Sequence, residues 1–324
     1  MKTAPLLILL DTDLNTDVGD AGAIALLHAL ADLGEAVIIG IGVSVSNPDT
    51  PYALLAINAW YGRAGLPIGQ YQGQPPIELN DGDPFVRALR NICAAPLPEP
   101  LPDTTELYRR ALSAQPGGSV TMVAIGFHNT LQRLLESPPD AVSPLDGFEL
   151  VRAKVKKLVV MGGQYPDSSN INFFHKGSEY NFFRAPVAAA HVCAHWPTPV
   201  VFTGFELGEP LRGGRTLVAN TPADNPVRIA YEAAGRPNGR EAWDETAIWY
   251  AVRGAEHGGV RYFDEIRGTN QVSPENGANV FIEGPGPHLY LKKTLPDEDY
   301  SRSFDELQIR PPVLSSRQGA ERRL

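Results

Sequence analysis

Cysteine is almost missing. Cys93 and Cys193 are the only two, a hundred positions apart and outside any CxxC spacing. That scarcity argues against a disulfide framework or a cysteine zinc site and leaves two reduced thiols as the expectation. Positive charge is also in deficit: 28 Lys and Arg against 37 Asp and Glu give a net charge of −9 and a pI near 5.3. No basic stripe is visible, which sets aside nucleic acid as a partner. No apolar run reaches the ~20 residues that a bilayer span requires. The one run near the start, PLLILL, lacks a small-residue cleavage site and ends in aspartates, so it reads as a buried strand and not a secretory leader. A soluble cytoplasmic protein with no membrane partner is the expectation.

The chain instead carries short β-branched runs alternating with helical patterns. Leu6 to Ala29 reads LLILLDTDLNTDVGDAGAIALLHA, a strand, an acidic loop and a small-residue helix. AVIIGIGVSVSN (Ala36 to Asn47) is a second buried strand, Pro51 to Tyr61 a helix, and Leu66 to Tyr71 a short strand. Further strands are read at Ser119 to Gly126, Val155 to Gly163 and Pro199 to Gly204, each run followed by polar residues. Continuous apolar strands separated by helices indicate an α/β fold with an open, mostly parallel sheet and helices on both faces. One domain over residues 1–324 is expected, with loop or flap excursions near 73–104 and 254–300. Helices are also expected over Asn225 to Ala234, Asp244 to Arg253 and, briefly, Phe304 to Ile309.

Asp11, Asp13, Asp17 and Asp20 crowd four carboxylates into ten residues. A polar turn with a helix N-cap accounts for one or two of them. A hard divalent cation accounts for more, because Ca²⁺ and Mg²⁺ prefer oxygen ligands. The later strand ends expose Asn47, Asn129, Asn170, Asn172, Glu179 and Asn181, with His128 and His175 on the same loops. Ligands of α/β sheets sit at such ends. Amides and carboxylates with hardly any basic residue among them suit a neutral, hydroxyl-rich ligand better than a phosphate, which recruits Arg, Lys or a Gly-rich helix start.

In this order, LLILLDTD…GDAGAIALL, GIGVSVSN, VAIGFHNT, MGG…EYN and WDETAIWYAV resemble the inosine/uridine-type nucleoside hydrolases. The resemblance covers most of the chain and is weakest over 73–110 and 210–300. It implies Ca²⁺-dependent cleavage of an N-glycosidic bond in a small nucleoside or ribosyl substrate, by a homodimer or homotetramer. It implies that Asp13 ligates Ca²⁺ and acts as general base, and that Asp20, Asp244 and the main chain of Asn129 complete the metal site. Asn47, Glu179 and Asn181 would hold ribose hydroxyls, with Asn172 or Asn170 near another sugar contact and Asp11 in support. Two departures stand out. Gly19 replaces the first member of the family's Asp pair, and Asp17, in a loop two residues longer, is the candidate to fill that place. Trp243 replaces the His often found before the last metal Asp, so it can stack on a base but not protonate it, and His175 becomes the candidate acid.

Two other readings compete. A dehalogenase-type phosphohydrolase would use Asp11 as nucleophile and Asp13 as acid, but Lys156 and Lys157 precede their strand and no late acidic pair follows. A binding protein retaining Ca²⁺ and a ribosyl ligand without turnover is compatible with Gly19 and Trp243.

Overall fold

The computed structural model describes residues 4–73, 84–97, 99–166 and 177–313. Six strands, β1 (Leu6–Thr12), β2 (Ala36–Val43), β3 (Ile68–Gln70), β4 (Val120–Ala124), β5 (Val155–Met161) and β6 (Val200–Thr203), run parallel to one another in a nine-stranded sheet. Across the sheet they run β3-β2-β1-β4-β5-β6. The chain builds outward in one direction from β1, then returns to β4 on the other side. The tips of β1 and β4 therefore diverge to neighbouring connections and leave a crevice, the place where doubly wound sheets bind ligands.

Both faces of the sheet are covered, which explains the unbroken apolar runs. In β1, Ile8 and Leu10 join one core and Leu9 the other. In β5, Val159 and Met161 face the first core while Leu158 and Val160 face the second. The period-2 alternation of side chains survives, but each parity meets helices instead of water. On the first face the helix Gly19–Asp32 packs against Trp243–Arg253. Its glycines and alanines permit the close approach. A Cβ on Gly22 would lie 2.4 Å from the Tyr231 hydroxyl and 2.6 Å from Glu245 Oε1.

The parallel sheet matches the sequence pattern, but the C-terminal third holds more regular structure than expected. Where a loop or flap excursion is expected over 254–300, Phe263–Val272, Asn279–Glu283 and His288–Lys293 extend the main sheet beyond β6. His288–Lys293 pairs parallel to β6, and the other two follow antiparallel. These strands lie toward an edge and carry Asp264, Glu265 and Arg267 on Phe263–Val272, so charge obscures their pattern. The terminal helix is also longer, Asp297–Gln308, because its first turn is acidic and only Tyr300, Ser301, Phe304, Asp305, Leu307 and Gln308 are buried. The helix Gly147–Lys154 was not anticipated; Asp146 caps it by accepting from the Glu149 amide at 2.8 Å. No described helix is long and apolar enough to cross a membrane. Both cysteines are free thiols, Cys193 buried and Cys93 half-buried.

Candidate active site

β1 delivers its aspartates to different places. Asp11 is still within the strand and fully buried; its Oδ2 accepts hydrogen bonds from the Tyr108 and Thr130 hydroxyls, each at 2.5 Å. Tyr108 reaches it across Gly42, where a Cβ would come within 2.0 Å of the Tyr108 oxygen. Burial pushes the Asp11 carboxyl up to about 7. Asp11 thus braces the base of the crevice and does not line it, so it is not placed to attack a phosphate as a dehalogenase nucleophile must. Two residues on, Asp13 turns into the crevice. Its Oδ2 accepts from the Thr16 hydroxyl at 2.6 Å. Its backbone lies against β4's exit: a Cβ on Gly126 would sit 2.5 Å from Asp13 N.

Two packed helices then point their N-termini at the same space. Asp20 lies in the first turn of Gly19–Asp32 and accepts from the Thr12 hydroxyl. Asp244 lies in the first turn of Trp243–Arg253. The partial positive charge at a helix start favours a carboxylate there. Glu179 caps a third, short helix, Tyr180–Arg184, accepting from the amides of Asn181 at 2.7 Å, Phe182 at 3.1 Å and Gly163 at 3.1 Å. The Asn181 amide nitrogen spans the tips of β4 and β5, donating to the carbonyls of Ile125 and Met161 at 3.2 Å each.

These groups enclose a cavity of about 440 Å³. Asp13, Asp17, Asp20, Glu179 and Asp244 supply five carboxylates to its wall, against one guanidinium, Arg240. Phe205, Tyr180 and Trp243 add aromatic rings to the lining. The Trp243 indole is fixed by donating to the Phe205 carbonyl at 3.0 Å, with the two rings 5.3 Å apart. Desolvation pushes Asp13 and Glu179 up to about 7. It raises Asp20 and Asp244 well above the usual carboxylate range, with further push from neighbouring carboxylates.

Asp13, Asp17, Asp20, Glu179, Asn181, Trp243 and Asp244 therefore meet at one cavity. Asn47 does not join them: its amide donates to Asn15 Oδ1 at 2.5 Å and its oxygen accepts from the Asp49 amide at 2.9 Å, so it braces a neighbouring loop. Asn129 opens the helix Asn129–Leu135 and donates to the Ser44 carbonyl at 3.1 Å, behind the wall. His128 is buried edge-on against Phe182 at 5.1 Å, and burial lowers it to about 4. Asn170, Asn172 and His175 lie outside the described residues. Among the described residues the one basic residue in the lining is Arg240, which the sequence reading did not single out and which enters from 223 positions beyond Asp17. Its segment, GRPNGREAW, carries no strand or motif signal, and only the tertiary fold brings it in.

Among the described residues no three His, Cys, Asp or Glu side chains form a ready-made metal-binding group. The donor chemistry nevertheless suits a hard cation. Asp13, Asp20 and Asp244 are buried hard-oxygen donors with uncompensated mutual repulsion, which a divalent ion offsets. Asn129 Oδ1 is also buried with no hydrogen-bond partner.

A family match places the chain among the N-glycosyl hydrolases. More narrowly, it belongs to the inosine-uridine preferring nucleoside hydrolase family, whose model matches residues 8–273. Solved structures share the fold at low identity. A plant nucleoside hydrolase, PpNRh1, superposes with a TM-score of 0.72 at 17% identity, covering 95% of this chain and 100% of its own. An inosine-uridine preferring nucleoside hydrolase from Bacillus anthracis gives 0.69 at 15% identity, covering 94% and 100%. The type III effector XopQ, solved with adenosine diphosphate ribose, gives 0.68 at 15% identity, covering 96% of each chain. No curated protein matches in sequence.

Proposed function

We propose that the protein hydrolyses the N-glycosidic bond of a ribonucleoside or related ribosyl compound to free base and ribose, with Ca²⁺ as cofactor. The observation that carries this reading is one cavity at the β1/β4 crevice, lined by five carboxylates together with aromatic rings. Asp13, Asp20 and Asp244, with the Asn129 main-chain carbonyl, would hold the cation; once bound, Ca²⁺ supplies Lewis acidity to a water and to vicinal hydroxyls. Asp13 takes the proton from the attacking water. Glu179 and Asn181 orient ribose hydroxyls, and the carboxylate wall stabilises the positive charge that develops on the sugar ring in an oxocarbenium-like transition state. Trp243, Phe205 and Tyr180 receive the base. His175 is the proposed proton donor to it, and Asn172 a further sugar contact.

The experiment is a chromatographic assay of base release from inosine, uridine, adenosine, guanosine, cytidine and adenosine diphosphate ribose, in Ca²⁺ and in chelator. Release from at least one ribonucleoside supports hydrolysis. Tight Ca²⁺-dependent ribose binding with no release from any compound assigns the protein to the non-catalytic reading that Gly19 favours.

The raised carboxyls give a second expected result. Asp13 and Glu179 stay protonated in the fold up to about 7, whereas unfolded carboxyls ionise near ~4. Between those values the folded state binds more protons than the unfolded one, so stability falls as pH rises. Metal-free protein should therefore melt higher at about pH 5.5 than at about pH 7.5. Ca²⁺ at the higher pH should restore the loss, because it replaces the protons as counter-charge. Thermal melts in chelator and in Ca²⁺ measure both; equal melting in chelator at the two pH values contradicts the uncompensated burial.

A further inference from the structure

Gly19 is the gap in the acidic wall, and the structure shows what occupies it. A Cβ built on Gly19 would lie 3.1 Å from Asp244 Oδ2 and 3.3 Å from Asp17 Oδ1. Asp17 curls back toward this space, and its Oδ1 accepts from the Gly19 amide at 2.8 Å. Its Oδ2 is held by Arg240, through Nε at 2.7 Å and Nη2 at 2.5 Å. The Arg240 guanidinium lies over the Trp243 ring, 5.1 Å from its centroid, and also donates to Glu241. Glu241 in turn meets Arg212 at 3.1 Å, so alternating charges run from the cavity toward solvent.

Without Arg240, Asp17 would be one more carboxylate beside Asp244 and Asp13, and repulsion would turn it outward. Two N–H groups on one carboxylate oxygen offset that repulsion and fix the side chain's direction. Donor and acceptor counts then show what remains. A carboxylate offers about four acceptor positions, and the Gly19 amide and the two Arg240 contacts use three, leaving one on Oδ1. A guanidinium has five N–H groups in a fixed fork, conventionally ~5 donors, of which Asp17 and Glu241 take three. One acceptor beside two donors matches an alcohol, which both donates and accepts.

We propose that Asp17 and Arg240 act together as a hydroxyl-binding unit that fills the place left by Gly19, with Arg240 the positioning residue that sets the demand for a free sugar hydroxyl. The proposal rests on the reading above only for the ligand being a ribosyl compound.

The test compares wild type with Arg240→Met, Arg240→Lys, Asp17→Asn and the Arg240→Met/Asp17→Asn double variant. Calorimetry with ribose in Ca²⁺ is one readout. Steady-state kinetics with a ribonucleoside and its 2′- and 3′-deoxy forms is the other. Arg240→Met should weaken ribose binding and raise KM by about tenfold or more, with kcat changed by less than about threefold. Lys should recover part of the loss, and the double variant should be no worse than the poorer single one, because the pair acts as a unit. The deoxy form lacking the recognised hydroxyl should be insensitive to the substitution. Arg240→Met should melt lower than wild type, because Asp17 keeps its charge without a partner, but circular dichroism should show it folded at the assay temperature, which separates positioning from damage to the fold. Equal ribose affinity in wild type and Arg240→Met, strictly additive losses, or no ribose binding by wild type would each overturn the proposal. If wild type binds ribose but releases no base, the hydrolase reading fails while the ribose comparison still decides this one.

Discussion

Asp13→Asn is expected to reduce base release by about a thousandfold while raising the melting temperature of the metal-free protein. The two effects share one cause. Asp13 is buried in a wall of carboxylates, and its Oδ2 accepts from the Thr16 hydroxyl. An amide keeps the shape but cannot accept a proton, so the attacking water loses its base. The same change removes a charge that raises Asp20 and Asp244 by repulsion, so the empty site should be less strained. Residues at active sites are commonly held against stability in this way. The Ca²⁺ affinity should fall alongside turnover. Progress curves and melting curves of the same preparation measure both effects. Turnover within about tenfold of wild type would remove Asp13 from the role of general base.

The second large effect is expected from Gly126→Ala, a substitution that touches no charged group. A methyl at this position would meet Asp13 N at 2.5 Å, Ser44 Oγ at 2.6 Å and the Thr12 carbonyl carbon at 2.8 Å. Two of the three are backbone atoms and cannot swing away as a flexible side chain can. The tips of β1 and β4 must separate, and Asp13, which lines the cavity, moves with them. Overpacking of this kind costs about 1–3 kcal/mol, and a misplacement near 1 Å costs on the order of a hundredfold in rate. Urea unfolding and base release should both report the change. The loss in turnover should exceed what unfolding alone accounts for, because folded protein would still carry the displaced loop. Wild-type turnover from this variant would show that the β4 exit does not set Asp13's place.

Much of the fold could be read in the residues, because parallel strands buried on two faces leave long apolar runs that few other structures need. AVIIGIGV and VTMVA declare themselves in this way. Strands such as FDEIRGTNQV do not, since one partner is an edge strand and their outward positions carry charge. The acidic part of the site was legible for a different reason. Asp11, Asp13, Asp17 and Asp20 are crowded beyond what capping uses, and Asp244 follows a helix start. What stayed hidden is what distance in sequence hides. Arg240 reaches Asp17 from the far end of the chain, and Phe205 enters the cavity from a short helix, Phe205–Gly208, with no motif. Arg240 was not among the candidates because a single paired guanidinium leaves no compositional trace. Asn47 misled in the opposite direction. A polar residue at a strand end can equally serve to fasten a loop, and here it fastens the one carrying Asn15.

The proposed chemistry is that this acidic cavity breaks a ribosyl–base bond with Ca²⁺ and Asp13. Proton NMR of a ribonucleoside panel, incubated with wild-type protein in Ca²⁺, in chelator, and with Asp13→Asn in Ca²⁺, tests it most directly. In the first sample the anomeric signal of at least one ribonucleoside should be replaced by those of free ribose and free base in equal amounts, with almost none in the other two. Loss of the signal at the same rate in chelator, or no loss for any member of the panel by Ca²⁺-loaded wild type, would contradict it.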